Sequence, residues 1–258
     1  MARLTADQAQ RYIYSLELPP KPSGPVERGG AVQFDFNKVK DQAMIVGSDI
    51  VSFVKGVTPE LREDIVNSSL LAQLVAKKQI SDPTRTYDWY NVYFDVLTNI
   101  GWVVQDRGFA RYSEASENFQ AHEAIIQVAT SLLGPNAAAL AVVKATLDAL
   151  RSMSANSPWI TLFNRESQSA NTARFQVTLA EEGDDGQLLV SLMAFGLEAK
   201  AKLTQVLFFK FQSNEASLKH YSGKVTVSPF VLSNVRELIR NKIASYASDY
   251  LKALPDLT

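Results

Sequence analysis

The chain has 258 residues, with 26 Lys+Arg against 27 Asp+Glu, two His and no Cys, for a formal net charge of −1. The absence of Cys excludes a disulfide scaffold, a thiolate zinc site, a Cys nucleophile and S-acylation, and balanced charge argues against binding nucleic acid by bulk electrostatics. A 46% hydrophobic content belongs to a folded globular protein, and the length allows one large domain or two small ones.

The first residues, Met1 to Gln8, carry no apolar core of a signal peptide. No run reaches the ~18 consecutive apolar residues of an ordinary transmembrane helix. The expectation is a soluble protein made in the cytoplasm, with export that needs no cleaved signal left open. Residues 5–17 predict a short amphipathic helix with Tyr12, Ile13 and Leu16 on one side. Pro19-Pro20-Lys21-Pro22-Ser23-Gly24-Pro25 then breaks regular structure, and Glu27-Arg28-Gly29-Gly30 prolongs an extended arm. Residues 1–30 therefore read as a helix plus arm, and residues 31–258 as a single α+β domain.

From Phe36 to Val57, Val39, Ala43, Val46, Ile50 and Val54 recur at three- and four-residue spacing, which predicts a helix closed near Gly56. Thr58-Pro59-Glu60 starts another, with an N-cap Thr, Pro at the first helical position and an acid in the first turn. It runs through Leu61, Ile65, Leu70, Leu74 and Val75 to Lys77-Lys78. After Asp82-Pro83 the aromatic segment Tyr87 to Asn99 suits a helix, since Tyr90, Phe94 and Leu97 share a face, although its Val and aromatic content also suits a strand. Trp102-Val103-Val104 predicts a strand that turns at Asp106-Arg107-Gly108 into Phe109 to Tyr112. Residues 116–133 and 136–153 read as helices split by Gly134-Pro135-Asn136, and Trp159 to Phe163 as a short strand.

The last third has period two. Phe175, Val177 and Leu179 alternate with Arg174, Gln176 and Thr178, the pattern of a half-buried strand. Glu181 to Gly186 makes an acidic turn, and Leu188 to Leu197 returns with Leu188, Val190, Leu192 and Ala194 on one face. Leu203 to Phe211 is apolar on both faces, which predicts a central strand. His220 to Val227 is a further strand. A final helix uses Val235, Leu238, Ile239, Ile243, Tyr246, Tyr250 and Leu251 and stops at Pro255. The fold class is α+β, with N-terminal and middle helices packed on a C-terminal antiparallel sheet of at least four strands and a closing C-terminal helix.

Chemistry is sparse. Gly29-Gly30 lacks the spacing of a dinucleotide or phosphate loop. His220 and Ser222 would share a strand face, without the Gly-x-Ser-x-Gly context of a nucleophile elbow, and polar residues at a solvated strand end explain them as well. His122-Glu123 lacks further metal ligands at helical spacing, with Glu117 the nearest candidate. The Glu181 to Gly186 turn lacks the alternating oxygens of a calcium loop. Glu63-Asp64 and Asp184-Asp185 are paired carboxylates with no sign of a shared cleft. Arg236, Arg240 and Lys242, with Lys219 and Lys224, make either a positive patch or the solvated face of an amphipathic helix, the commoner arrangement. No catalytic residue, cofactor or metal is assigned.

One segment stands apart. From Ala124 to Val143 there is no ionisable residue. Its length matches a bilayer span of about 20 residues, but Gly134-Pro135-Asn136 splits it into halves too short to cross. Two readings follow. A helical hairpin buried in the core explains most apolar runs of this length. A conditionally exposed hairpin would insert into a membrane, with Trp89, Tyr90, Tyr93 and Trp102 as interfacial anchors. The residues of lipid contact would then be Trp89, Tyr93, Trp102, Ile125, Leu132, Leu133, Leu140 and Val143.

With its aromatic run Asp88-Trp89-Tyr90-Asn91-Val92-Tyr93-Phe94, helical middle and hairpin-rich end from Arg174 to Val227, the chain resembles the Erwinia virulence factor family. These are bacterial α+β proteins that promote persistence in the insect gut. The resemblance implies a soluble protein of unusual topology with an affinity for lipid membranes. The family carries an acylated cysteine, which this chain lacks, so membrane action here must work differently. The expected function is that of a non-enzymatic bacterial virulence or toxin-like effector at a host membrane, with a lipid membrane as partner, no nucleic acid, and an oligomeric state that the sequence leaves open. Two alternatives stand: an enzyme of unfamiliar type using His220 and Ser222 or an Asp/Glu pair, and a protein-binding module using the final helix and the sheet.

Overall fold

The structure, a computed structural model, describes residues 4–21, 35–37, 39–104, 107–112, 118–135, 137–183, 187–208, 210–212, 214–255 and 257. The arm over residues 22–34, the Asp184-Asp185-Gly186 tip, Asp106, Glu117 and Asn136 lie outside the described residues.

In chain order the elements are α1 (Ala6–Ser15), β1 (Gln42–Val46), β2 (Asp49–Phe53), α2 (Pro59–Gln79), α3 (Thr86–Asn99), β3 (Trp102–Val103), β4 (Ala110–Arg111), β5 (Asn118–Gln120), α4 (Ala121–Leu133) and α5 (Ala138–Ser152). They continue with α6 (Pro158–Ser167), β6 (Gln168–Ser169), β7 (Thr172–Glu182), β8 (Leu188–Ala199), β9 (Lys210–Gln212), β10 (Ala216–Val227), α7 (Pro229–Ile243), α8 (Ala247–Tyr250) and β11 (Leu251–Ala253). The α+β class holds. One large sheet has the order β11-β1-β2-β7-β8-β10-β3, with β4 also on β10 and β6 on β7. The long strands β7, β8 and β10 are antiparallel, as expected, but β2 pairs β7 in parallel, so the sheet is mixed.

Helices cover both faces. Phe175, Val177, Leu179, Met193, Phe195 and Leu197 point into one core, with α4, α5 and α6. Val51, Phe53, Ala180, Val190, Leu192 and Ala194 point into the other, with α1, α2, α3 and α7. Alternation along each central strand builds the two cores at once.

Several expected elements are corrected. Residues 36–57 do not form a helix. Gln42–Val46 and Asp49–Phe53 form an antiparallel hairpin around Gly47-Ser48. Apart from Gln42 both strands are buried on both faces, so apolar residues fall on both sides of each, and a helical spacing can be picked out of them. Gly47 has φ +57°, the left-handed value that the first position of a two-residue II′ turn requires. An added Cβ there would lie 2.4 Å from Gln73 Oε1. Trp159 to Phe163 belongs to α6 instead of a strand, started by the Ser157 side chain, which accepts from the Ile160 N–H, and by Pro158 in the first turn.

Leu203 to Phe211 is not a central strand. Leu203, Val206, Leu207 and Phe211 are buried, but they cap the α4–α5–α6 core, and only Lys210–Gln212 pairs, with β5 in a separate small sheet. β3 and β4 do not fold back on each other. Both pair antiparallel to β10, so they run in the same direction along one edge. The closing helix ends at Ile243. Tyr246 caps and Tyr250 ends the short α8, and Leu251 begins β11, which pairs β1.

Candidate membrane-contacting site

The uncharged segment folds as the α4–α5 hairpin. Gln120 and Glu123 form a reciprocal capping box at the start of α4. At its end, Gly134 takes φ +94° and its N–H reaches the Thr130 carbonyl at 2.9 Å. Ala124, Ile125, Val128 and Ala129 of α4, and Ala139, Leu140, Val142, Val143, Leu147 and Leu150 of α5, are buried against the sheet and each other. The outer faces carry Glu123, Gln127 and Ser131 on α4 and Ala141, Lys144 and Asp148 on α5. The hairpin is thus amphipathic as a unit, and between Ala124 and Val143 its outer face is uncharged as well, carrying Gln127, Ser131 and Ala141.

The two helical layers are held differently. α2 and α3 meet the sheet through polar groups as well as hydrocarbon. The Gln73 amide donates to the Val46 carbonyl at 2.8 Å and its Oε1 accepts from the Ser48 N–H at 2.9 Å. The Tyr90 hydroxyl lies 2.8 Å from the Phe195 carbonyl and 2.9 Å from that of Phe175, and accepts from the Gln176 amide at 3.1 Å. Arg62, fully buried, donates to the carbonyls of Val57, Val54 and Lys40 and to Gln42 Oε1. The α4–α5 hairpin meets the sheet through hydrocarbon. Among the described residues, the Ser52 and Thr146 hydroxyls, 3.2 Å apart, join α5 to β2. His122 at the start of α4 bonds Leu207 through its N–H at 3.0 Å and through Nδ1 at 3.3 Å, and Gln127 pairs with Tyr112. Helix backbone bonds close within each helix, so lifting the hairpin would leave the sheet ladder intact.

The eight residues named for lipid contact do not share one surface. Ile125, Leu140 and Val143 are buried in the hairpin's inner face, and Leu132 and Leu133 are half-buried near its tip. Trp89, Tyr93 and Trp102 lie on the opposite side of the sheet, each at most 2% exposed. Trp89 and Tyr93 stack at 5.4 Å, and the Arg174 guanidinium sits over the Trp89 ring. A cleft of about 380 Å³ borders α5, lined by Ala141, Val142, Val39, Lys40, Lys55 and Leu257 among others.

The other candidates are placed as follows. His220 and Ser222 are half-buried on β10, and His220 Nδ1 has no hydrogen-bond partner among the described residues. Burial alone lowers the His220 pKa, with no carboxylate acting on it. Arg236 makes a bidentate pair with Asp64 at 2.7 and 2.8 Å, and Arg240 pairs with Glu63 at 2.8 Å, so the Glu63-Asp64 pair and the final-helix cations neutralise one another between α2 and α7. Among the described residues no group of three or more His, Asp or Glu could hold a metal ion.

Sequence reasoning missed a polar joint made by Ser48, Asp49, Ser69, Gln73, Gln176 and Thr178. The alternation of Arg174, Gln176 and Thr178 predicts a solvated face, yet Gln176 is 0% and Thr178 1% exposed beneath α2 and α3.

No family model matches the chain, and no curated protein matches it. Solved structures similar to it include a delta-endotoxin, at TM-score 0.35 and 14% identity over 73% of this chain and 89% of that one. The Evf virulence factor has TM-score 0.36 and 10% identity over 95% of this chain and 89% of that one. The activated Cyt2Ba monomer from Bacillus thuringiensis subsp. israelensis has TM-score 0.38 and 15% identity over 69% of this chain and 97% of that one. Scores and identities this low assign neither family nor activity to this chain.

Proposed function

We propose that this chain is a non-enzymatic, toxin-like effector that acts at a lipid membrane by seating the α4–α5 hairpin there. The observation that carries the reading is a hairpin without an ionisable residue from Ala124 to Val143, held on the sheet by an apolar face.

Magnitudes limit how this works. Burying a large aliphatic side chain stabilises by about 1.5–3 kcal/mol, so Ile125, Val128, Leu140, Val142, Val143, Leu147 and Leu150 together hold the hairpin by roughly 10–20 kcal/mol against exposure to water. In water the hairpin stays shut. At a bilayer the hairpin's own face is buried again in acyl chains, and the sheet face it uncovers, with Phe175, Val177, Leu179, Met193, Phe195 and Leu197, must turn to the same membrane to recover the rest. Helices of 13 and 15 residues are about 20 and 23 Å long, short of the ~30 Å hydrocarbon core. Among the described residues no helix is long and apolar enough to cross a membrane. The hairpin therefore lies in the interface, apolar face down, with Gln127, Lys144 and Asp148 toward water.

Flotation with phosphatidylglycerol–phosphatidylcholine vesicles tests this. Protein rising with the vesicles is the expected result, and absence of binding at both neutral and acidic pH would overturn the proposal.

A further inference from the structure

Asp49 is the first residue of β2 and is 0% exposed. Its Oδ2 accepts from the Ser69 hydroxyl of α2 at 2.7 Å and from the Thr178 hydroxyl of β7 at 2.8 Å. One carboxylate oxygen thus ties a helix of the α2–α3 layer to two neighbouring strands. Its Oδ1 is buried with no hydrogen-bond partner among the described residues.

The groups around it are neutral and polar: Ser69 and Gln73 from α2, Tyr93 and Tyr90 from α3, Gln176 and Thr178 from β7, and Ser48 from the turn. Burial pushes both tyrosine hydroxyls far up, and they stay protonated. Arg174, further along β7, acts on Tyr90, and among the described residues Asp49 makes no ion pair. A buried carboxylate with no counter-charge is costly when ionised, whereas a carboxylic acid is not.

We propose that Asp49 is a pH-operated latch, which fastens the α2–α3 layer to the sheet when protonated and loosens it when ionised. The latch goes beyond the membrane reading, and no lipid enters its test. It also distinguishes the two layers, since α2–α3 answers to pH and α4–α5 to an apolar surface.

Burial raises the Asp49 carboxyl from 3.8 to about 6, partly offset by the Ser69 and Thr178 hydroxyls and by the Thr178 backbone. The folded protein therefore holds this proton more tightly than the unfolded chain does. The stability it contributes is fully present below 3.8 and is lost as pH rises through about 6. The full span is on the order of 100-fold in the closed-to-open equilibrium, of which roughly tenfold falls between about pH 5 and about pH 8.

Native-state hydrogen exchange of α2 amides, corrected for intrinsic rates, measures the opening. The open population in the wild type is expected to rise roughly tenfold from about pH 5 to about pH 8. In Asp49→Asn, which keeps an acceptor and cannot ionise, that rise is expected to vanish. An equal rise in variant and wild type would overturn the latch. Should the variant fail to fold, carboxyl-carbon NMR of the wild type decides: an Asp49 midpoint near 6 supports the latch, and one near 3.8 overturns it.

Discussion

A disulfide between residues 52 and 146 is expected to abolish vesicle binding, and its reduction to restore it. The Ser52 and Thr146 hydroxyls lie 3.2 Å apart across the β2–α5 boundary, where two sulfurs would have to meet. The chain has no Cys, so Ser52→Cys with Thr146→Cys introduces the only thiols and no mispairing competes. Both partners of one hydrogen bond are replaced together, which leaves neither hydroxyl orphaned. Oxidation pins α5 to the sheet but leaves its outer face unchanged. If the hairpin must leave the sheet, flotation of the oxidised protein falls to background and returns with reductant. Equal flotation in both states would show that the protein binds vesicles with the hairpin closed.

Two leucines on adjacent central strands separate release of the hairpin from global instability. Leu179 of β7 faces the α4–α5 core and Leu192 of β8 faces the α2–α3 core, and each is 0% exposed. They lie one register position apart, since Leu192 pairs with Thr178 and Leu179 with Ser191. Leu→Ala at either site is expected to cost about 2–5 kcal/mol, from lost transfer energy plus a cavity. Leu179→Ala removes part of the surface that holds the hairpin down, so its vesicle-binding rate should rise clearly above that of the wild type. Leu192→Ala leaves that surface intact, so its rate should stay near the wild-type value despite a similar loss in denaturant midpoint. Equal acceleration in both would mean that global instability, and not release of the hairpin, drives binding.

The hairpin was legible because its signal is local. Twenty positions without charge, broken by Gly134-Pro135, specify two short apolar helices before any tertiary contact is known. The start of α2 at Thr58-Pro59 was legible for the same reason, since a cap is written within four residues. β1 and β2 were not. Their burial on both faces comes from helical layers distant in sequence, and apolar stretches as short as residues 43–46 fit a helix as well as a strand.

The aromatic residues of α3 show the converse. Trp89 and Tyr93 have the composition of membrane anchors, yet α3 packs them under α2 and against the sheet. The polar joint was hidden most deeply. Ser48-Asp49 falls inside the helix expected over residues 36–57, Gln176 and Thr178 read as a solvated strand face, and Ser69 and Gln73 as ordinary helix residues. Only the fold brings them together, with Ser48 and Gln176 128 positions apart. Their pairing satisfies one another's hydrogen bonds in the absence of water.

At a membrane, α4–α5 is expected to part from the sheet. Spin labels on single cysteines introduced at Lys144, on the outer face of α5, and at Glu198, exposed at the end of β8, report it directly. The distance between the labels, measured by pulsed electron paramagnetic resonance, should be single in solution. On vesicles it should lengthen by more than about 10 Å, the thickness of one packed layer. An unchanged distance in vesicle-bound protein would contradict the account.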